Sequence, residues 1–262
     1  MNAFTKHDEA VAVQIDEHGL ATIELRRPEA RNSLRLAEIA LLGQAIANVQ
    51  ESRARCLLVR GSGGSFCAGR DLKEADPETD DTRDILENRI NPVLRALRHC
   101  AMPTIAAVHG PALGLGLGLA LACDITLAAD NAMLGSPFRN IGAVLDSGGH
   151  YFMRERLGAH RAAELIFTGR MLSGREAAEI GLINRAVGAL DLDQVAAEMA
   201  RSIALGPTSA FAATKEILKD ARSYDEVLAL ESEYQARALA GHDGREGIRA
   251  FQQKRKPIFI GS

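Results

Sequence analysis

Tryptophan is absent from the 262 residues, and aromatic side chains make up only 4% of the chain. Proteins that bind single-stranded nucleic acids stack the bases on such side chains. The formal net charge of −3 at pH 7 also provides no basic surface for a polyanion. The composition therefore predicts no nucleic-acid partner.

Long apolar runs and cysteine motifs are missing as well. No uninterrupted apolar stretch reaches the roughly 18 residues of a candidate membrane span, and the polar start, MNAFTKHDEA, does not resemble a signal peptide. The four cysteines, Cys56, Cys67, Cys100 and Cys123, form no CxxC pair and no metal-ligand spacing. We therefore expect reduced cysteines, no metal site, no membrane partner and a cytoplasmic location.

The chain is long enough to bury a large core, and 47% of its residues are hydrophobic. Apolar runs bounded by turn residues predict strands over 11–15, 20–25, 56–59, 104–108 and 124–128. Helical spacing predicts a helix after Ser33, another over 85–100, and an almost wholly helical chain from residue 159 onwards. The acidic segment 75–84 is predicted to be a loop, either plainly solvated or acting as a substrate lid.

The most distinctive segment is HGPALGLGLGLALACD, from His109 to Asp124. Its glycines open a predicted helix, although glycine in a helix interior costs about 1 kcal/mol relative to alanine. One interpretation is that a buried helix packs tightly against a sheet. The other is that a ligand with developing negative charge approaches the free N–H groups of the helix N-terminus.

Five segments occur in order along the chain: RRPEARNSL, SFCAGRDL, AAVHGPALGLGLGLALACDI, IGAVLDSGGHYF and EGIRAFQQKRKP. Together they resemble the crotonase (enoyl-CoA hydratase/isomerase) family, from about residue 11 to residue 259. The resemblance implies an α/β fold, a crotonase-like spiral of ββα units with a helical C-terminal trimerisation region. It divides the chain into an acyl-CoA-binding core over 1–200 and a helical region over 201–262 for oligomerisation and completion of the CoA site.

The resemblance also implies an acyl-CoA thioester as ligand, with coenzyme A as part of the substrate and no separate cofactor, in a homotrimer or hexamer. The oxyanion hole of the family consists of two backbone N–H groups, which match Ala68 and Leu115, with leucine replacing the usual glycine. The positions matched to substrate or CoA binding are Arg27, Arg31, Cys67, Gly69, Arg70, Asp71, Leu72, Gly114, Phe138, Phe251 and Lys254. The arginines suit phosphate groups.

The acid/base residues depart from the pattern of the hydratases in this family. The two hydratase glutamates match Gly118 and Phe138, so both carboxylates are missing. Asp146 stands where some isomerases of the family, including the branch resembling ring-1,2-epoxyphenylacetyl-CoA isomerase, carry an aspartate. Leu145 takes the place of their usual proline. Apolar neighbours would raise the pKa of Asp146 and keep it a competent base, whereas the alternative role is a helix N-cap.

These residues favour enoyl-CoA double-bond isomerisation, in which Asp146 moves a proton between two carbons of a thioester enolate. His150 and Tyr151 are secondary acid/base candidates. Two alternatives stay open at this point. One is water addition by Asp146 together with His150 or an ordered water, and the other is a non-catalytic acyl-CoA-binding homologue.

Overall fold

The computed structural model describes residues 6–7 and 10–262. The strands in this part of the chain are β1 (Lys6–His7), β2 (Val11–Ile15), β3 (Leu20–Leu25), β4 (Cys56–Gly61), β5 (Thr104–Val108), β6 (Pro111–Leu113), β7 (Ile125–Ala129), β8 (Met133–Gly135), β9 (Leu172–Ser173) and β10 (Arg185–Val187). The α-helices are α1 (Leu36–Glu51), α2 (Thr82–Asp84), α3 (Asn91–Arg98), α4 (Leu115–Ala122), α5 (Gly149–Leu157), α6 (Ala159–Thr168), α7 (Gly174–Glu179), α8 (Leu192–Ala204), α9 (Thr208–Asp220), α10 (Tyr224–Ala240) and α11 (His242–Gln252).

The larger sheet has the strand order β1-β2-β3-β4-β5-β7-β10. Its first three strands run antiparallel, and the pairs from β3 to β10 are parallel. The predicted turn between β2 and β3 is confirmed. Asp16 Oδ1 accepts hydrogen bonds from the backbone of His18 and Leu20, each at 2.9 Å, and Gly19 has a positive φ of 81°.

The parallel pairing of β4 and β5 positions the site. Because both strands end at the same edge of the sheet, the loops that follow them lie side by side. Phe66 N–H donates to His109 O at 2.8 Å, and Cys67 N–H donates to Pro111 O at 3.0 Å. The SFCAGRDL loop is thereby joined to the start of the glycine run.

The sequence patterns miss a second, smaller sheet of order β6-β8-β9. Its strands have only two or three residues, too few for a period-two pattern to show. The helix predicted over 85–100 is present in a continuous helical segment from 82 to 98, in which Ile85–Ile90 is π-helical between α2 and α3. The predicted helix after Ser33 begins at Leu36, after the cap residue Arg35.

The C-terminal helices are tied to the core by a buried ionic cluster. Lys215 Nζ on α9 lies 2.6 Å from Asp124 Oδ2 and donates to Met102 O at 2.7 Å. The same carboxylate accepts from the backbone N–H of Thr104 at 2.8 Å, which satisfies its buried oxygen. Helix α8 packs against β3, β4, β5 and β7, so the predicted division at residues 200/201 falls inside a helix of the core.

Within the described residues, no helix combines the length and apolar character that a bilayer span would require. The same part of the chain contains no cluster of three or more histidine, cysteine, aspartate or glutamate side chains suited to a metal ion.

Candidate active site

The glycine run forms the turn and helix that its sequence predicts. Gly114 is the N-cap of α4 with φ 53°, and its N–H donates to Gly135 O at 3.1 Å. Leu115 is the first residue of the helix, and its N–H has no acceptor among the described residues. A Cβ on Gly116 would lie 2.1 Å from Cys67 O. Glycine therefore allows the helix to lie directly against the SFCAGRDL loop, and the backbone nitrogen of Leu115 lies beside that loop.

In the SFCAGRDL loop, most of the central backbone N–H groups are paired within the chain. Ala68 N–H donates to Arg31 O at 3.0 Å, and Asp71 N–H donates to Leu34 O at 2.9 Å. Gly69 N–H faces the Cys67 thiol. Arg70 N–H has no acceptor in the part of the chain that the structure describes.

The expected oxyanion donor at Ala68 therefore needs a correction. Its N–H is held by the Arg31 carbonyl, whereas the N–H two residues later is free. The Arg70 N–H also lies near the start of α4. A Cβ on the preceding residue, Gly69, would be 2.7 Å from Leu113 O and 3.6 Å from Leu115 N. Among the described residues, Arg70 and Leu115 thus contribute unpaired N–H groups that the fold brings close together.

Asp146 lies in the segment that leads into α5 and is half-buried. Burial raises the pKa of its carboxyl above the usual range, while a hydrogen bond from Ser147 and the charge of Arg70 offset part of that increase. Ser147 Oγ donates to Asp146 Oδ1 at 2.7 Å. The N-cap of α5 is Gly148, with no side-chain cap, so the helix-cap role considered for Asp146 is wrong.

The two positions matched to the hydratase glutamates are occupied by packing. A Cβ on Gly118 would lie 2.5 Å from Ser147 O and 2.6 Å from Ser147 Cβ. The Phe138 ring covers the N-terminus of α4, since a Cβ on Gly114 would be 3.1 Å from its Cε2. The segment that carries Asp146 therefore fills the space beside Gly118.

The basic residue expected to bind CoA phosphates at position 27 is largely engaged inside the chain. Arg27 donates to Ser33 O at 2.8 Å, and its Nη2 lies 3.2 Å from Asp71 Oδ2. A second carboxylate, Glu38 Oε2, lies 3.5 Å from Nη1. Asp71 also caps the turn at Leu72–Glu74, so this pair orders the loop from within.

The other residues expected to bind substrate or CoA differ in their exposure and in their contacts. Arg31 is exposed, and Leu72 is 54% exposed. The Arg70 side chain lies 2.6 Å from Asp80 Oδ2 and thereby fastens the acidic segment 75–84 to the site. The Cys67 side chain is fully buried, and burial raises the pKa of its thiol to about 12. Cys67 therefore contributes its backbone rather than its thiol.

The remaining candidates are exposed or engaged elsewhere. Phe251 is 85% exposed near the end of α11, and Lys254 is also exposed. His150 faces solvent at the start of α5. Tyr151 Oη accepts a hydrogen bond from Arg98 at 3.0 Å. None of these four side chains is hydrogen-bonded to Asp146 in the described residues.

Residues 16–262 match the enoyl-CoA hydratase/isomerase family. The chain belongs to this family. The 1,2-epoxyphenylacetyl-CoA isomerase of Escherichia coli is 37% identical over 253 residues, which cover 94% of this chain and 96% of the relative. The human enoyl-CoA hydratase domain-containing protein 2, a mitochondrial protein, is 36% identical over 253 residues and is covered to 87%.

Solved structures give the same result. Enoyl-CoA hydratase from Bacillus anthracis superposes with a TM-score of 0.91 at 31% identity, covering 97% of this chain and 100% of the other. The fold is the crotonase fold, and the protein is an acyl-CoA enzyme of the hydratase/isomerase family. Relatives of similar identity carry hydratase and isomerase names, so the reaction depends on the residues of the site.

Proposed function

We propose that the protein moves the double bond of an enoyl-CoA thioester, with Asp146 as the only proton-transferring side chain. The N–H groups of Arg70 and Leu115 hold the thioester carbonyl oxygen. The half-buried Asp146 carboxylate, whose pKa burial raises and which the charge of Arg70 reaches, carries this proposal. The E. coli isomerase, at 37% identity, supports it.

The proposed reaction needs one base and no net change in oxidation state. The Asp146 carboxylate removes a proton from the α carbon of a 3-enoyl group, and the electron pair forms an enolate whose oxygen carries the charge. The protonated Asp146 returns that proton to the γ carbon, the original double bond breaks, and a new one forms between the α and β carbons. A proton transfer of this kind calls for no cofactor beyond the CoA of the substrate.

Two preorganised N–H donors stabilise the enolate oxygen in this scheme. Removing one such donor from an enzyme typically costs about 3–4 kcal/mol in transition-state stabilisation. Because both groups belong to the main chain, the leucine at position 115 does not remove the donor. The side chain of Arg70 adds a positive charge close enough to affect Asp146.

Water addition is disfavoured by the surroundings of Gly118. Hydration requires one group to take a proton from water and another to protonate the α carbon. No second carboxylate can stand at position 118 without displacing Ser147, since even a Cβ there would be 2.5 Å from its carbonyl oxygen. A purely binding role has no use for a desolvated carboxylate at this place.

We also propose that the active protein is a homotrimer or a hexamer. An apolar groove of about 530 Å³ lies between α9, α10 and α11, and the Phe251 side chain near the end of α11 is exposed. A neighbouring copy would cover these groups. Phe251 and Lys254 of one copy would then approach the CoA bound by the other. Sedimentation velocity of the purified protein tests this assembly, and a monomer would contradict it.

The proposed reaction is tested with a panel of 3-enoyl-CoA esters in deuterated water. The wild type is expected to form 2-enoyl products, and Asp146→Asn is expected to lower kcat by roughly a thousandfold, as general acid–base groups contribute. His150→Gln is the matched control and should retain activity within about twofold, as expected of an exposed residue. A wild type that binds these esters without migration or exchange would contradict the proposal.

A further inference from the structure

The chain makes a tight turn over residues 146–149, immediately before helix α5. Gly149 N–H donates to Asp146 O at 2.9 Å, and the two central residues, Ser147 and Gly148, have positive φ angles of 55° and 76°. Positive φ at both central positions is typical of a type I′ turn, in which glycine, asparagine and aspartate are preferred. Serine at the first central position goes against that preference, so the turn itself does not explain why a serine stands there.

The hydroxyl group of Ser147 is directed at the carboxylate of the preceding residue. Ser147 is only 3% exposed, and a buried hydroxyl needs a hydrogen-bond partner. It does not cap α5, because the N-cap is Gly148 and no side chain caps that helix. Within the described residues, its Oγ has one hydrogen bond, which it donates to Asp146 Oδ1 at 2.7 Å. The serine is therefore used for contact with Asp146 and not for the helix.

Gly118 on α4 determines where this serine can lie. A Cβ at position 118 would be 2.5 Å from Ser147 O and 2.6 Å from Ser147 Cβ, closer than Cβ atoms approach such neighbours. All eight residues of α4 are buried, so the helix is a fixed wall behind the turn. A residue in a sparsely populated backbone conformation persists only where its surroundings hold it. The contact with Gly118 provides that support for Ser147.

The hydrogen bond from Ser147 makes the two carboxylate oxygens of Asp146 different. Oδ1 accepts from the serine, whereas Oδ2 accepts no hydrogen bond from the described residues and is not among their buried unpaired polar atoms. Oδ2 is therefore the accessible oxygen. Burial raises the pKa of this carboxyl, and the hydrogen bond offsets part of that increase because it stabilises the ionised form.

The charged groups around the carboxylate lie on three neighbouring elements. Arg70, on the SFCAGRDL loop, lowers the pKa of the carboxyl through its charge. Arg95 and Arg98 on α3 line a surface groove together with Ser147. His150 on α5 faces solvent, and α4 contributes only leucine, glycine and alanine. Within the described residues, the serine hydroxyl is the group that contacts the carboxylate through a hydrogen bond.

We propose that Ser147 is a positioning residue, which holds Oδ1 of Asp146 so that Oδ2 is the atom that exchanges a proton with the substrate. Gly118 is the small residue that this arrangement requires, because any side chain there would displace the serine. The inference rests on the proposed function for the role of Asp146. The contact between hydroxyl and carboxylate is testable without turnover.

Two substitutions separate the effect of the hydroxyl from that of the backbone conformation. Ser147→Ala removes the hydroxyl and keeps a side chain at positive φ, whereas Ser147→Gly removes the hydroxyl and relieves the backbone strain. Urea denaturation should therefore show that Ser147→Gly is folded and more stable than Ser147→Ala. If the hydroxyl is what matters, both variants should show the same change in activity despite this difference in stability.

In the isomerase assay, both variants are expected to move the acid limb of kcat/KM to higher pH by about one unit or more, the effect of losing a hydrogen bond to a charged group. The loss of a fixed carboxylate orientation should lower kcat roughly ten- to hundredfold. KM should stay within about twofold, because the serine holds the base and not the substrate. Ser202→Ala removes an exposed serine on α8 and should change none of these values.

Carbon-13 NMR of the Asp146 side-chain carboxyl, assigned with Asp146→Asn, measures its pKa without turnover. That pKa should be higher in both Ser147 variants than in the wild type. An unchanged pKa, or a Ser147→Gly variant with the kcat of the wild type, would overturn this inference and leave the proposed isomerisation standing. A wild type without isomerase activity would contradict the proposed function, and the positioning role in that reaction would fail with it.

Discussion

The two ends of the proposed site differ in the groups they use, which are backbone groups at one end and a side chain at the other. In the proposed reaction, the thioester end depends on main-chain N–H groups of Arg70 and Leu115, whereas the proton-transfer end depends on the side chain of Asp146. A backbone donor persists through most substitutions, and leucine at position 115 is an example. A side-chain acid or base disappears with one change, as at Gly118 and Phe138. A chain built in this way would keep its enolate-binding groups when its acid/base residues change.

The largest expected effect beyond that of Asp146→Asn comes from removing a backbone donor. Proline is tolerated at the first position of a helix, so Leu115→Pro deletes the N–H with little disturbance of α4. We expect kcat to fall by roughly a hundred- to a thousandfold. Leu115→Val, similar in size but with its N–H intact, is the control in the same isomerase assay. An equal loss of kcat in both variants would show that altered packing at position 115, and not the missing N–H, lowers the activity.

A smaller effect is expected from restoring a hydratase carboxylate. Gly118→Glu would force a side chain against Ser147 O and Cβ, and overpacking of this kind typically costs about 1–3 kcal/mol of stability. Urea denaturation should show the loss, and hydratase activity should not appear. Gly64→Ala is the control, since a Cβ there meets nothing within 4 Å. A stable variant that hydrates 2-enoyl-CoA would show that the reaction depends on position 118 alone.

The pH profile of kcat/KM sharpens the contrast between backbone and side chain. Asp146 must be ionised to act as a base, and burial raises its pKa, so activity should fall on the acid side above the ordinary aspartate range. The Arg70 cation lowers that pKa. Arg70→Met keeps the backbone N–H and should move the acid limb to higher pH. Arg154→Met removes an exposed arginine on α5 and should leave the acid limb in place. The same shift of the acid limb in both variants would argue against a local effect of the Arg70 charge on Asp146.

The smallest expected effect is one of stability. A carboxyl whose pKa is raised in the folded state binds its proton more tightly there than in the unfolded chain, so its ionised form opposes folding at neutral pH. Asp146→Asn should therefore be slightly more stable than the wild type at pH 7. The difference should fade as the pH falls below the usual aspartate pKa. Denaturant titrations at both pH values measure it, and a less stable variant at pH 7 would contradict the assigned cause.

The sequence predicted the larger elements and the helix that bears the free donor. The strands over 11–15, 20–25 and 104–108 occur with those bounds, because hairpin and burial patterns are local. The glycine run predicted a close approach to the backbone, and Cys67 O provides it. Resemblance to an isomerase motif singled out Asp146; the raised pKa agrees with the expectation from its sequence, and its catalytic role stays a prediction.

Other features depend on partners distant in the chain. Whether the N–H of Ala68 or of Arg70 is free is decided by the carbonyls of Arg31 and Leu34, which no local pattern places. The engagement of Arg27 by Asp71 is likewise a tertiary contact across 44 residues.

Tracing a labelled proton tests most directly whether one carboxylate performs both transfers. A 3-enoyl-CoA carrying deuterium at both α positions would be converted in ordinary water in a single turnover. If Asp146 performs both transfers, part of the deuterium should appear at the γ carbon of the product, because the carboxyl group returns the proton that it removed. A γ hydrogen derived wholly from solvent would contradict transfer by a single carboxylate.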